Sequence, residues 1–131
     1  MNSPANCPFC ELSRDRIVAS NEHALAFRDG FPVTEFHTLV IPRKHIETYF
    51  DLSAAERHSI HGLLELCHSE IMARDSKVEG FNIGWNCGRA AGQTVFHCHV
   101  HLIPRRVGDV DNPRGGVRGL IPGKGGVKVF L

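Results

Sequence analysis

The chain has 131 residues, a formal net charge of +1, 42% apolar residues and 22% charged ones. That length suits one domain with enough chain to bury a core, and so even a charge balance argues against general attraction to nucleic acid or membrane surfaces. Five cysteines, an odd number, argue against a disulfide scaffold and for a reducing compartment. No apolar run approaches the roughly 18 residues that cross a bilayer, and no signal peptide is visible at the start, so a cytoplasmic globular protein is expected.

Cys7-Pro8-Phe9-Cys10 opens the chain as a Cys-x-x-Cys knuckle. Ile17-Val18-Ala19 reads as a short strand, and Asn21-Glu22 as a turn before a second strand, Ala24 to Arg28, that stops at Asp29-Gly30. Pro32 marks a loop. Phe36-His37-Thr38-Leu39-Val40-Ile41 reads as a third strand, closed by Pro42-Arg43-Lys44-His45, and residues 46–50 as one helical turn. Ser53 and Glu56 have capping-box spacing. Ile60, Leu63, Leu64, Cys67, Ile71 and Met72 then follow at three- and four-residue steps, which predicts one helix with a buried stripe to about Arg74. His58, His61 and His68 fall on its solvated side. Phe81 to Asn86 alternates as a strand, and a loop with Gly88 and Gly92 leads into Phe96-His97-Cys98-His99-Val100-His101-Leu102-Ile103. Beyond Pro104 come seven glycines, six basic residues and two acidic ones, too little apolar material for a second core. The expectation is a single α+β domain over 1–131, with a core at 7–106 and a glycine-rich extension at 107–131. Its sheet has about five antiparallel strands, covered by one long helix and a short one.

The histidine row is the most informative stretch. On a strand, His97, His99 and His101 project from one face, about 6–7 Å apart, with Phe96, Cys98, Val100 and Leu102 on the other. Three explanations are open. A neutral imidazole with one nitrogen held and the other free is a good nucleophile toward phosphorus, and its neighbours can attend the phosphate and leaving group. His-x-His is also a plausible pair of zinc ligands. A polar sheet face without chemistry is the third. Gly88, Gly92, Gln93 and Thr94, just ahead of the row, can offer amides and polar side chains to an anion. Cys7 and Cys10 make half of a zinc site, which His45 or His97 can complete, with Cys87 and Cys98 as competitors.

Gly92-Gln93-Thr94-Val95-Phe96-His97-Cys98-His99-Val100-His101-Leu102-Ile103 resembles the signature of the histidine triad (HIT) family of nucleotide hydrolases and transferases. Residues 24–29 and 36–42 resemble that family's nucleoside-binding half, and Cys7-Pro8-Phe9-Cys10 resembles the opening of its zinc-containing bacterial-type members. The tail is more loosely similar to diadenosine polyphosphate hydrolase-like members. The resemblance implies that His99 attacks the α-phosphate of a dinucleoside polyphosphate, such as diadenosine tetraphosphate, or of a nucleoside phosphoramidate. A covalent nucleotidyl-histidine forms and water resolves it. It implies that the His97 carbonyl orients His99 and that His101 and His37 line the phosphate site. Gly92, Gln93 and Thr94 would contact phosphate or the bridging oxygen, and Asp29 and Asn86 the ribose side. Cys7, Cys10, His45 and His97 would hold a structural zinc, and two copies would join their sheets as a homodimer. A nucleotidyl transferase on the same site, a non-catalytic nucleotide-binding module, and a hydrolase with catalytic zinc are the alternatives.

Overall fold

In the computed structural model, which describes residues 6–126, five strands form one antiparallel sheet in the order β1-β2-β3-β5-β4. These are β1 (Ile17–Ser20), β2 (Ala24–Arg28), β3 (Thr38–Pro42), β4 (Val78–Trp85) and β5 (Val100–Arg106). The long helix, α1 (Ala54–Arg74), starts where the capping box places it. The Ser53 hydroxyl accepts from the Glu56 amide at 3.1 Å, and the Glu56 carboxylate accepts from the Ser53 amide at 2.8 Å. A single 3-10 turn at Tyr49–Asp51 is the short helix. Among the described residues no helix is long and apolar enough to cross a membrane.

Alternation gives the sheet two faces. Ala24, Ala26, Val40, Val100 and Leu102 bury one face against Ile60, Leu63, Cys67 and Ile71 of α1. On the opposite face Phe27, Leu39 and Ile41 form a second apolar cluster with Phe9, Leu12 and Leu25. Pairing of Leu39 with His101 in the β3–β5 register carries the histidine onto that second face. Met72, placed by its spacing in the α1 stripe, is instead 42% exposed, whereas its neighbour Ile71 carries the buried stripe through the last turn at 0%. The clamp between helix and sheet is polar there. The Arg28 guanidinium donates to Glu70 at 2.6 Å and to the Thr38 hydroxyl at 2.7 Å, and Arg74 donates to Glu70 at 3.0 Å.

Two strand readings need correction. β3 begins at Thr38, so Phe36 and His37 lie in the preceding turn, Phe36 with a left-handed φ of 69°. β5 begins at Val100, and residues 95–97 are bent. Pairing of β5 with β3 starts only at Val100 opposite Val40. Before that point the chain bonds to the 42–46 segment: the Cys98 amide donates to the Ile46 carbonyl at 2.7 Å and the His97 ring is 2.8 Å from the Pro42 carbonyl. The three imidazoles therefore do not share one face.

Candidate active site

The bend divides the row. His97 turns toward the N-terminal knuckle, while His99 and His101 line a cleft of about 500 Å³ on the second sheet face. Phe9, Leu12, Phe27, Phe31 and Leu39 wall one end of that cleft, with Asp29, His37, Asn86, Gly92 and Thr94 around the histidines.

The hydrogen bonds assign the tautomers. Buried His99 has Nδ1 2.9 Å from the His97 carbonyl; a carbonyl only accepts, so Nδ1 carries the proton and Nε2 keeps a free lone pair facing the cleft. The Val33 amide donates to His37 Nδ1 at 3.1 Å, which leaves the proton on His37 Nε2. That nitrogen is 2.9 Å from His101 Nδ1 and 3.5 Å from an Asp29 carboxylate oxygen. His101 Nδ1 thus accepts, and its Nε2–H points into the cleft. Burial lowers the pKa of His37 and of His99, with Asp29 opposing the shift at both and the His97 carbonyl opposing it at His99. For His101, burial reinforced by His99 and His37 lowers the value to about 4. The cluster is neutral near pH 7, the state a nucleophilic imidazole requires.

His97 faces the other way. Its Nε2 donates to the Pro42 carbonyl, which leaves Nδ1 with a lone pair 3.6 Å from Cys7 Sγ and 3.4 Å from Cys10 Sγ. His45 Nδ1 lies 3.4 Å from Cys10 Sγ, and the four donor atoms lie within 4.8 Å of one another. A tetrahedral ion with metal–sulfur bonds of about 2.3 Å and metal–nitrogen bonds of about 2.0 Å separates sulfur from nitrogen by about 3.5 Å. Cys7, Cys10, His45 and His97 match that spacing and could hold a metal. Cys98, a competitor on sequence grounds, packs in the helix-side core, where burial pushes its thiol up to about 12.

The model of the HIT domain matches residues 12–108. The chain belongs to the HIT family. A HIT-like protein of Mycoplasma genitalium is 37% identical over 108 residues, covering 79% of this chain and 76% of its own. The Bacillus subtilis protein named hit is 36% identical over 110 residues, covering 80% and 74%. Among solved structures, a HIT family protein from Bacillus anthracis superposes with a TM-score of 0.70 at 35% identity, covering 98% of this chain and 84% of its own. A zinc-bound histidine triad family protein from Mycobacterium smegmatis gives a TM-score of 0.68 at 34% identity, covering 79% and 78%.

Of the residues singled out by the HIT resemblance, Asp29, His37, Asn86, Gly92, Thr94, His99 and His101 come together around the cleft. Gln93 does not. It is buried, with Oε1 accepting from the Gly88 amide at 2.8 Å and Nε2 donating to the carbonyls of Glu47 (2.7 Å) and Val95 (3.2 Å). Its polar atoms staple the loop that carries Gly92 and Thr94 rather than facing the cleft. Gly92 holds a left-handed φ of 94°, the conformation for which glycine carries no Cβ penalty. Phe9 was missed by sequence reasoning. Its ring stands edge-on to His99, centroids 5.0 Å apart, and to Phe27 at 5.3 Å. The available signal was an aromatic residue between the two cysteines of the knuckle.

Proposed function

We propose that this HIT protein hydrolyses a nucleotide derivative at its α-phosphate through a covalent intermediate on His99. The observation that carries this reading is the His99 ring itself: one nitrogen held by the His97 carbonyl at 2.9 Å, the other free in the cleft. The apolar end of the cleft takes the base, and Asp29 beside it accepts from the ribose hydroxyls. His99 Nε2 attacks phosphorus as the bond to the leaving group breaks. The hydrogen bond that His101 Nδ1 accepts from His37 Nε2 keeps the His101 proton on Nε2, from where it donates a hydrogen bond to the phosphate group under attack. The departing atom takes its proton from solvent water. Water then attacks the nucleotidyl-histidine, releasing a nucleoside monophosphate and restoring His99.

Charge favours a leaving group with little charge of its own. The lining of the cleft includes one Lys or Arg, Arg16, and that guanidinium sits over the Phe27 ring at 5.5 Å and donates to the Arg28 carbonyl. Arg105 is paired with Asp109 at 2.7 Å and Arg106 with Asp75 at 2.9 Å. Neither is free to take up the extra charges of a polyphosphate chain, so a phosphoramidate or a short anhydride fits better than diadenosine tetraphosphate. The same nucleotidyl-histidine serves a transferase if an acceptor other than water enters.

Cys7, Cys10, His45 and His97 close a four-donor shell with no open position, which suits a structural zinc. Such an ion would fix His97, whose carbonyl orients His99. Strand β4 is a free edge of the sheet, with Ile83 54% exposed; a second copy pairing there extends the sheet into a homodimer. The test of the reaction is His99→Asn, which abolishes turnover of a nucleoside phosphoramidate while leaving binding of the nucleoside monophosphate intact. Retained turnover refutes the assignment.

A further inference from the structure

Phe9 belongs to two sites at once. It lies between Cys7 and Cys10, so an ion on those sulfurs fixes the backbone on both sides of it. Its ring meets His99 edge-on at 5.0 Å and 82°, Phe27 at 5.3 Å, and the metal-side His97 at 6.0 Å. Pro8, Phe9 and Leu12 together form one wall of the cleft beside His99. The knuckle is tied to the body of the domain through its two sulfurs, Cys7 to His97 and Cys10 to His45 and His97. Alongside those ties it rests on apolar contacts, Phe9 and Leu12 against Phe27, Leu39 and Ile41. Contacts of the latter kind are non-directional and tolerate sliding; metal–sulfur and metal–nitrogen bonds do not.

We infer that metal occupancy of the knuckle and nucleotide binding in the cleft are thermodynamically coupled, with Phe9 as the element both ligands bias. With the metal bound, Phe9 is held as a fixed wall for the base and as an edge against the His99 ring. With the metal removed, the segment must be ordered when nucleotide binds, and that ordering weakens binding. Linkage makes the effect reciprocal: the factor by which metal tightens nucleotide is the factor by which nucleotide tightens metal, 5- to 150-fold being the typical range. For one aromatic wall about tenfold is expected. Phe9 acts here as a positioning residue, and this coupling rests on the nucleotide reading of the cleft given above.

The test uses the full chain and adenosine monophosphate as probe. Calorimetric titration is made into zinc-loaded protein and into chelator-stripped protein whose far-UV circular dichroism shows it folded. The loaded form binds about tenfold more tightly, and saturating nucleotide raises zinc affinity, read by competition with a chromophoric chelator, by the same factor. Phe9→Ala retains zinc, binds nucleotide about tenfold more weakly than the loaded wild type, and abolishes the difference between loaded and stripped forms. Equal affinities for loaded and stripped wild type overturn the coupling, as does a tenfold difference that survives in Phe9→Ala. If the stripped chain unfolds, loaded Phe9→Ala decides: unchanged nucleotide affinity overturns the proposal. Tight binding that ignores the metal sinks the coupling alone, whereas no binding by the loaded protein sinks the nucleotide reading and the coupling with it.

Discussion

Replacing Phe36 tests how the fold holds His37. Phe36 is a half-buried aromatic residue at φ 69°, a conformation that costs an L-residue about 1–2 kcal/mol. Its ring lies 5.2 Å from the Arg28 guanidinium and 5.0 Å from that of Arg74, and it packs against the helix-side core. Two such cation–π contacts contribute about 1 kcal/mol together, and burying half of a phenylalanine about 2 kcal/mol. Phe36→Ala forfeits roughly 3 kcal/mol and keeps the strain. Phe36→Gly forfeits the same contacts but relieves the left-handed penalty, partly offset by the greater freedom of glycine in the unfolded chain, for a net loss of about 2 kcal/mol. Glycine is therefore the milder substitution by about 1 kcal/mol, the reverse of the usual order, which appears as a midpoint about 4 °C higher in thermal unfolding. Both variants lower kcat through His37, because the backbone that aims its ring is loosened. An alanine variant as stable as the glycine one, or more so, refutes the strain and the positioning role built on it.

Other outcomes follow from the same geometry. The folded-state pKa values of His37, His99 and His101 lie below their ordinary value, so the unfolded chain takes up protons first as pH falls. Stability present above about pH 6.5 is then lost toward about pH 4, with His101 contributing up to about 3 kcal/mol, and urea titrations across that range should show it; a flat profile contradicts the neutral cluster. Gln93→Ala strands the Gly88 amide and the Glu47 carbonyl, which costs about 2 kcal/mol in urea unfolding; a loss confined to catalysis would mean that Gln93 faces the phosphate instead. Chelation lowers the thermal midpoint and raises KM while kcat at saturating substrate persists; immediate loss of kcat in folded protein would make the metal catalytic.

Much of the fold is written locally. The Ser53–Glu56 box, the helical spacing from Ile60 to Ile71 and the alternation from Val100 to Pro104 each need only neighbouring residues to be read, and each is present in the structure. The site is legible where its chemistry is concentrated, in His99, His101 and the Cys7–Cys10 pair. What escaped depends on distant partners. Strict alternation puts His97 on the face of His99, and bonds to the Pro42 carbonyl, 55 residues back, and from the Cys98 amide to the Ile46 carbonyl accompany its turn toward Cys7 and Cys10. Gln93 beside a glycine loop reads as an anion ligand until the Glu47 carbonyl, 46 residues away, claims its amide. Phe36 in an apolar run reads as strand because its left-handed φ leaves no mark in residue type.

The most direct test of His99 as nucleophile is peptide mass spectrometry after rapid acid-free quenching with an adenosine phosphoramidate. One adenylyl group is expected on His99, lost on a longer incubation and absent from His99→Asn, which also fails to turn over. Turnover with no adduct on His99 at any quench time, or turnover that persists in His99→Asn, contradicts that role.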